Sequence, residues 1–270
     1  MLRASIIICV LLLTAASSCH RPPMKKRVVF IFCDVTISLN GTERTEVGRM
    51  AADILNNLPV GTEYRIYPIQ AETDALAPIN KRESVIPPKD KNPSLQAILD
   101  RRRREGVVEE LAKYSKETNA PQDTNERRDD NRTCILNALN FAGNQFKQFL
   151  PGQYDRELIV ISDMLEECKE APLGRPVNIK KPDIAQELRL ANEFPEGNDL
   201  SAVKITIITP VTLETYVRHA PGRKPPMAAL QEFWAVIFSR CKVTREAQKN
   251  TEVYSWSNGE VPGYLLAQTK

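Results

Sequence analysis

An α/β fold with a doubly wound, mainly parallel central sheet flanked by helices is predicted by three observations. Residues 28–33 (VVFIFC), 157–163 (ELIVISD) and 202–209 (AVKITIIT) are near-continuous apolar runs, the pattern of strands covered on both faces. Stretches with apolar residues at helical spacing lie between them, and this alternation marks a parallel sheet. The first two runs end in an aspartate, Asp34 and Asp163, at the strand end where open α/β sheets bind ligands.

The first 19 residues precede the folded part. Arg3, an apolar core over residues 6–13 and the small residues Ala15, Ala16, Ser17 and Ser18 lead to Cys19. The apolar core is too short to cross a bilayer and reads as a signal peptide. Small residues directly before a cysteine resemble a bacterial lipoprotein lipobox, with Ala16 where that motif prefers Leu. The resemblance implies lipidation at Cys19 and a lipid-anchored, exported protein of the cell envelope. His20, where an Asp would favour retention in the inner membrane, leans towards the outer membrane. Residues 20–27 (HRPPMKKR) form a basic tether, and residues 28–270 are read as one domain.

Each element follows in order. Residues 43–57 place Val47, Met50, Ala51, Ile54 and Leu55 on one helix face, and Pro59 and Gly61 end that helix. Residues 64–70 (YRIYPIQ) are a second strand, with Pro68 suggesting an edge position or an early end. Residues 71–132 are longer than a simple connection and read as an insertion at the sheet edge. They include a helix over 94–116 whose run Arg101 to Arg104 reads as a solvated face paired with Glu105, Glu109 and Glu110, in preference to a site for an acidic partner. Residues 133–149 are amphipathic through Ile135, Leu136, Leu139, Ala142, Phe146 and Phe149, with Thr133 at the N-cap position. After the strands at 157–163 and 202–209 come a helix over 227–241 and a short strand over 253–256.

Composition narrows the function classes. With 37 basic and 34 acidic residues the formal charge is +3, which gives no argument for nucleic acid. The two histidines, His20 in the tether and His219 in a Pro/Gly-rich stretch, offer no Ser-His-Asp arrangement with Ser38. Beyond Cys9 in the leader and Cys19, four cysteines remain: Cys33, Cys134, Cys168 and Cys241. In an exported protein they permit two disulfides in three connectivities, or buried free thiols.

The chemistry concentrates in oxygen. Asp34, Thr36 and Ser38 present one carboxylate and two hydroxyls at alternate positions after the first strand. Such a set suits Mg²⁺, Mn²⁺ or Ca²⁺ rather than zinc, and needs further ligands from other loops. With Thr133 after a long loop and Asp163 at the end of a later strand, the order resembles the von Willebrand factor type A (vWA) domain, a Rossmann-like fold. Its metal-ion-dependent adhesion site is D-x-S-x-S, a later Thr and an Asp; here Thr36 replaces the first Ser and keeps the hydroxyl. The resemblance implies metal ligation by Asp34, Thr36, Ser38, Thr133 and Asp163, directly or through water. It also implies a protein partner whose Asp or Glu completes the metal shell, and no catalysis. Asp129 to Arg132 stand where many members of that family have Gly.

Asp34-Val-Thr36-Ile-Ser38 also resembles the D-x-T-x-T loop of haloacid-dehalogenase-like phosphatases and P-type ATPases. In that reading Asp34 is a phosphoryl-accepting nucleophile. That family places acidic residues after a later Ser or Thr strand end, whereas Asp163 precedes Thr209, no acidic pair follows the last strands, and Thr133 has no role. A metal-free vWA-like scaffold is the third alternative.

Overall fold

The computed structural model describes residues 25–36, 39, 41–59, 61–70, 80–82, 91–118, 132–168, 177–179, 191, 199–209, 227–243 and 252–255. Cys19, His20, Ser38 and His219 lie outside them, as does the proposed leader.

The strand β1 (Lys26–Asp34) is central. It pairs in parallel with β2 (Glu63–Ile69) on one side and β4 (Tyr154–Ile161) on the other. Its side chains alternate between two cores. Val28, Phe30 and Phe32 enter one, and Val29, Ile31 and Cys33 the other. Burial on both sides explains why the run is continuously apolar rather than alternating.

The six strands lie in the order β3-β2-β1-β4-β7-β8. β3 (Asn80–Arg82) is an antiparallel edge strand against Tyr64 to Ile66, and it stops short of Pro68. β7 (Val203–Thr209) pairs in parallel with β4, and β8 (Glu252–Ser255) pairs in parallel with β7. A separate two-stranded piece joins β5 (Glu167–Cys168) to β6 (Val177–Asn178). From β1 the chain runs outward through β2 and β3, then returns to the other side of β1 with β4. The gap between the carboxyl ends of β1 and β4 is therefore the topological switch point, where α/β folds place their sites.

Helices close both faces. α1 (Gly41–Asn57) buries Val47, Met50, Ala51, Ile54 and Leu55 in the core that holds Val29 and Ile31. Gly61, with φ +83°, makes the turn into β2 in a conformation that penalises any residue with a Cβ. α2 (Pro93–Thr118) packs on α1. Val107 and Leu111 of α2 are buried, and a Cβ on Gly48 would meet the Val108 Cα at 3.5 Å, so the two backbones run close together. Asn92 caps α2 by accepting the Ser94 N–H at 3.0 Å, with Pro93 in the first turn where its missing N–H costs nothing. Arg101 pairs with Glu105 at 2.8 Å on the exposed face. Among the described residues no helix is long and apolar enough to cross a membrane.

On the opposite face lie α3 (Ile135–Phe146) and α4 (Met227–Arg240). Phe146 of α3 stacks on Phe30 at 4.4 Å between ring centroids, and Phe32 stacks on Tyr67 at 5.2 Å. Leu230, Phe233, Trp234, Ile237 and Phe238 of α4 complete this core. Phe30→Ala should lower unfolding free energy by about 3–5 kcal/mol, the cost of emptying a closed aromatic core. Arg101→Ala should leave the denaturation midpoint unchanged. Urea denaturation of the two variants beside wild type tests both expectations.

Candidate metal centre

Asp34 is the last residue of β1 and has no solvent exposure. A carboxylate there is tolerable only if its lone pairs are taken. Its Oδ1 accepts the Thr36 N–H at 3.1 Å and the Thr36 hydroxyl at 2.7 Å. Its Oδ2 accepts the Ser162 hydroxyl at 2.8 Å, one residue beyond the end of β4. Thr36 Oγ1 also lies 2.6 Å from Thr133 Oγ1. Since the Thr36 proton goes to Asp34, Thr133 donates to Thr36. A chain of hydrogen bonds thus joins Ser162, Asp34, Thr36 and Thr133 across the switch point.

The loops around this chain are held by main-chain contacts. Arg44 of α1 donates to the carbonyls of Leu39 at 2.6 Å and Thr36 at 3.4 Å, holding the loop after β1 against the helix. After β4, Asp163 is buried and its Oδ1 accepts the Leu165 N–H at 3.1 Å. Met164 adopts φ +61°, a left-handed conformation unusual for a residue with a side chain. Both its main-chain groups are held: its N–H donates to Ser162 Oγ at 3.0 Å, and its carbonyl accepts the Trp234 indole N–H at 3.0 Å. Such backbone strain persists only where the surroundings over-determine it, and it concentrates at functional sites.

Thr133 does not cap a helix. α3 starts at Ile135 with Cys134 in the N-cap position, and the Cys134 side chain makes no capping hydrogen bond. The orphan N–H groups are taken instead by Glu166, whose Oε2 accepts Ile135 N–H at 2.8 Å and Leu136 N–H at 3.2 Å. The Thr133 hydroxyl faces Thr36. Glu166 Oε1 is buried with no hydrogen-bond partner among the described residues. Burial, chiefly, holds the Glu166 carboxyl well above the usual carboxylate range; the two amide bonds oppose this and the charge of Asp34 adds to it.

Cys134 and Cys168 form a disulfide. Their sulfurs lie within 4.8 Å of a Glu166 oxygen and of each other, but sulfurs bonded to one another are not thiolate ligands, so this group holds no metal while oxidised. Cys33 and Cys241 are free and buried, in the two different cores. The sheet separates them, so no second bond joins them. Burial pushes the Cys33 thiol far above its ordinary range and raises that of Cys241 to about 11.

Of the five metal ligands expected from the sequence, the hydrogen-bonded chain brings Asp34, Thr36 and Thr133 together, Asp163 adjoins it through Ser162, and Ser38 is outside the described residues. Sequence reasoning missed Ser162, Glu166 and Arg44. Ser162 carried a signal, since it sits beside Asp163 at the strand end. Glu166 carried none, because it caps a helix that begins 31 residues earlier in the chain.

No protein-family model matches the chain, and no curated protein does. Among solved structures it is similar to von Willebrand factor type A from Catenulispora acidiphila, at 10% identity and a TM-score of 0.48, over 91% of this chain and 42% of that one. It is similar to the SpRpn10 VWA domain at 12% identity and a TM-score of 0.37, over 90% of this chain and 95% of that one. The manganese-loaded Plasmodium vivax TRAP protein gives 13% identity and a TM-score of 0.37, over 79% of this chain and 74% of that one. The chain spans less than half the length of the first of these.

The state of Glu166 has a pH consequence. A carboxyl whose pKa is raised by folding stabilises the fold fully below its unfolded value of about 4.3, and that contribution is lost as pH rises through the folded value. In chelator, wild-type stability should therefore decline relative to Glu166→Gln as pH rises above about 4.3. Denaturant melts of the two proteins across pH check this, and parallel curves would refute it.

Proposed function

We propose that this chain is a vWA-like domain that binds a protein partner through a divalent cation. The observation that carries this reading is the buried hydrogen-bonded chain Asp34–Thr36–Thr133, with Ser162 and Asp163 beside it, at the switch point of the sheet. The donors are hard oxygens, a carboxylate and two hydroxyls within 2.6–2.7 Å of their neighbours, which fits Mg²⁺, Mn²⁺ or Ca²⁺. Asp34, Thr36, Ser38, Thr133 and Asp163 would hold the ion. The ion supplies an electrophilic position that a partner's Asp or Glu fills. No nucleophile or general base is needed for that task, so the proposed role is binding rather than catalysis.

In this reading the domain works outside the cytoplasm, tethered to the bacterial cell envelope by a lipid on Cys19, with the outer membrane favoured. The support is the leader-like composition of residues 1–19 and the small residues before Cys19.

Titration calorimetry with Mg²⁺ and Mn²⁺ is expected to show one site in wild type and none in folded Asp34→Ala or Asp163→Ala. Unchanged affinity in both folded variants would refute the site. Labelled palmitate should enter the wild-type chain expressed in bacteria and be absent from Cys19→Ala; equal labelling would rule out the anchor.

A further inference from the structure

The Cys134–Cys168 disulfide takes no part in the oxygen cluster, yet it is fastened to it. Cys134 follows Thr133 directly, and Cys168 ends the stretch that begins at Asp163. Three hydrogen bonds join the same two stretches. Glu166 accepts the Ile135 and Leu136 N–H groups at 2.8 and 3.2 Å, and the Glu167 N–H donates to the Thr133 carbonyl at 2.7 Å. The Glu166 carbonyl accepts the Ile179 N–H at 3.0 Å, which ties this stretch to the end of β6. Thr133 is thus held from behind by a covalent bond, a carboxylate and a main-chain bond, while its hydroxyl faces Thr36 at 2.6 Å.

These contacts matter because they fix the start of α3, directly after Thr133. The N-cap residue of α3, Cys134, makes no side-chain capping hydrogen bond. Glu166 caps the helix from 31 residues away, and the disulfide keeps Glu166 within reach. Groups that orient ligands without touching the metal typically change affinity by about 10- to 100-fold when removed.

We propose that Glu166 and the Cys134–Cys168 disulfide are the positioning device for Thr133, so that the cation affinity of the site depends on the redox state of that bond. The inference rests on the cation-binding reading above. Affinity is high with the bond formed and low once it is reduced. Reduction by a phosphine breaks the S–S bond with two electrons from phosphorus. Each sulfur takes a proton from water, whose oxygen leaves as phosphine oxide. The Glu166 contribution is that of an acceptor, not a charge: an amide oxygen can take the same two N–H groups.

The test uses the full chain and Mn²⁺, with free ion read by electron paramagnetic resonance. Oxidised, phosphine-reduced and desalted, and reoxidised samples are compared, beside Glu166→Ala, Glu166→Gln and the double variant Cys134→Ser, Cys168→Ser. Amide hydrogen exchange at Ile135 and Leu136 is followed in each without metal. Reduced wild type, the double variant and Glu166→Ala are expected to bind about 10- to 100-fold more weakly and to exchange faster at those amides. Reoxidation and Glu166→Gln should restore wild-type affinity. Equal affinity before and after thiol-verified reduction would overturn the proposal, as would a loss in Glu166→Gln as large as in Glu166→Ala. If reduction unfolds the chain, the Glu166 pair decides by that same criterion. No Mn²⁺ binding by oxidised wild type would sink the cation reading instead. The brace would then stand or fall on hydrogen exchange alone, and unchanged exchange on reduction would refute it.

Discussion

A carboxylate closed off from water at the end of the central strand constrains everything around it. Asp34 must have its oxygens satisfied in place, and the groups that do so come from different parts of the chain. Thr36 comes from the loop after β1, and Ser162 from the end of β4. Thr133, before α3, extends the chain of bonds by one hydroxyl. Satisfying one buried acid therefore fixes three loops relative to one another. The sheet makes this feasible, because its strand order brings β4 directly against β1 after the excursion through β2 and β3. The stacking of Phe30 on Phe146 packs α3 against β1, while Phe32 stacks on Tyr67 of the neighbouring strand β2.

The same constraint explains why the site is polar and buried at once. Ser162 serves two masters, donating to Asp34 and accepting from Met164, and Met164 holds a left-handed backbone pinned on its other side by Trp234. A polar network of this kind specifies one arrangement when complete and is costly when any member is missing. Under the proposed function, such a network would hold the cation's ligands in one arrangement. Glu166 Oε1, buried without a hydrogen-bond partner among the described residues, lies beside the disulfide that ties the Thr133 stretch to the Asp163 stretch.

How much of this was legible in the sequence depends on the range of each interaction. β1, β4 and β7 announce themselves because burial on both faces forces a continuous apolar run. Asp34 and Thr36 were legible because a two-residue spacing after a strand is a local pattern. Thr133 was legible as a residue of interest but not in its local role. The preference of threonine for N-caps predicts a capping hydroxyl, whereas the helix begins at Ile135 and Glu166 does the capping. That exchange of roles depends on a contact between residues far apart in sequence, which no propensity encodes. The pairing of Cys134 with Cys168 was open for the same reason. The isolation of Cys33 from Cys241 follows only once alternation along β1 assigns Cys33 to one core and α4 places Cys241 beside the other.

The central claim is that the oxygens of Asp34, Thr36, Thr133 and Asp163 form one cation site at the switch point. Diffraction from crystals grown with Mn²⁺, recorded at the manganese absorption edge, tests it most directly. The account predicts an anomalous peak among these side chains, at bonding distance from the Thr133 hydroxyl. A manganese peak elsewhere, with Thr36 and Thr133 still hydrogen-bonded to each other, would contradict it.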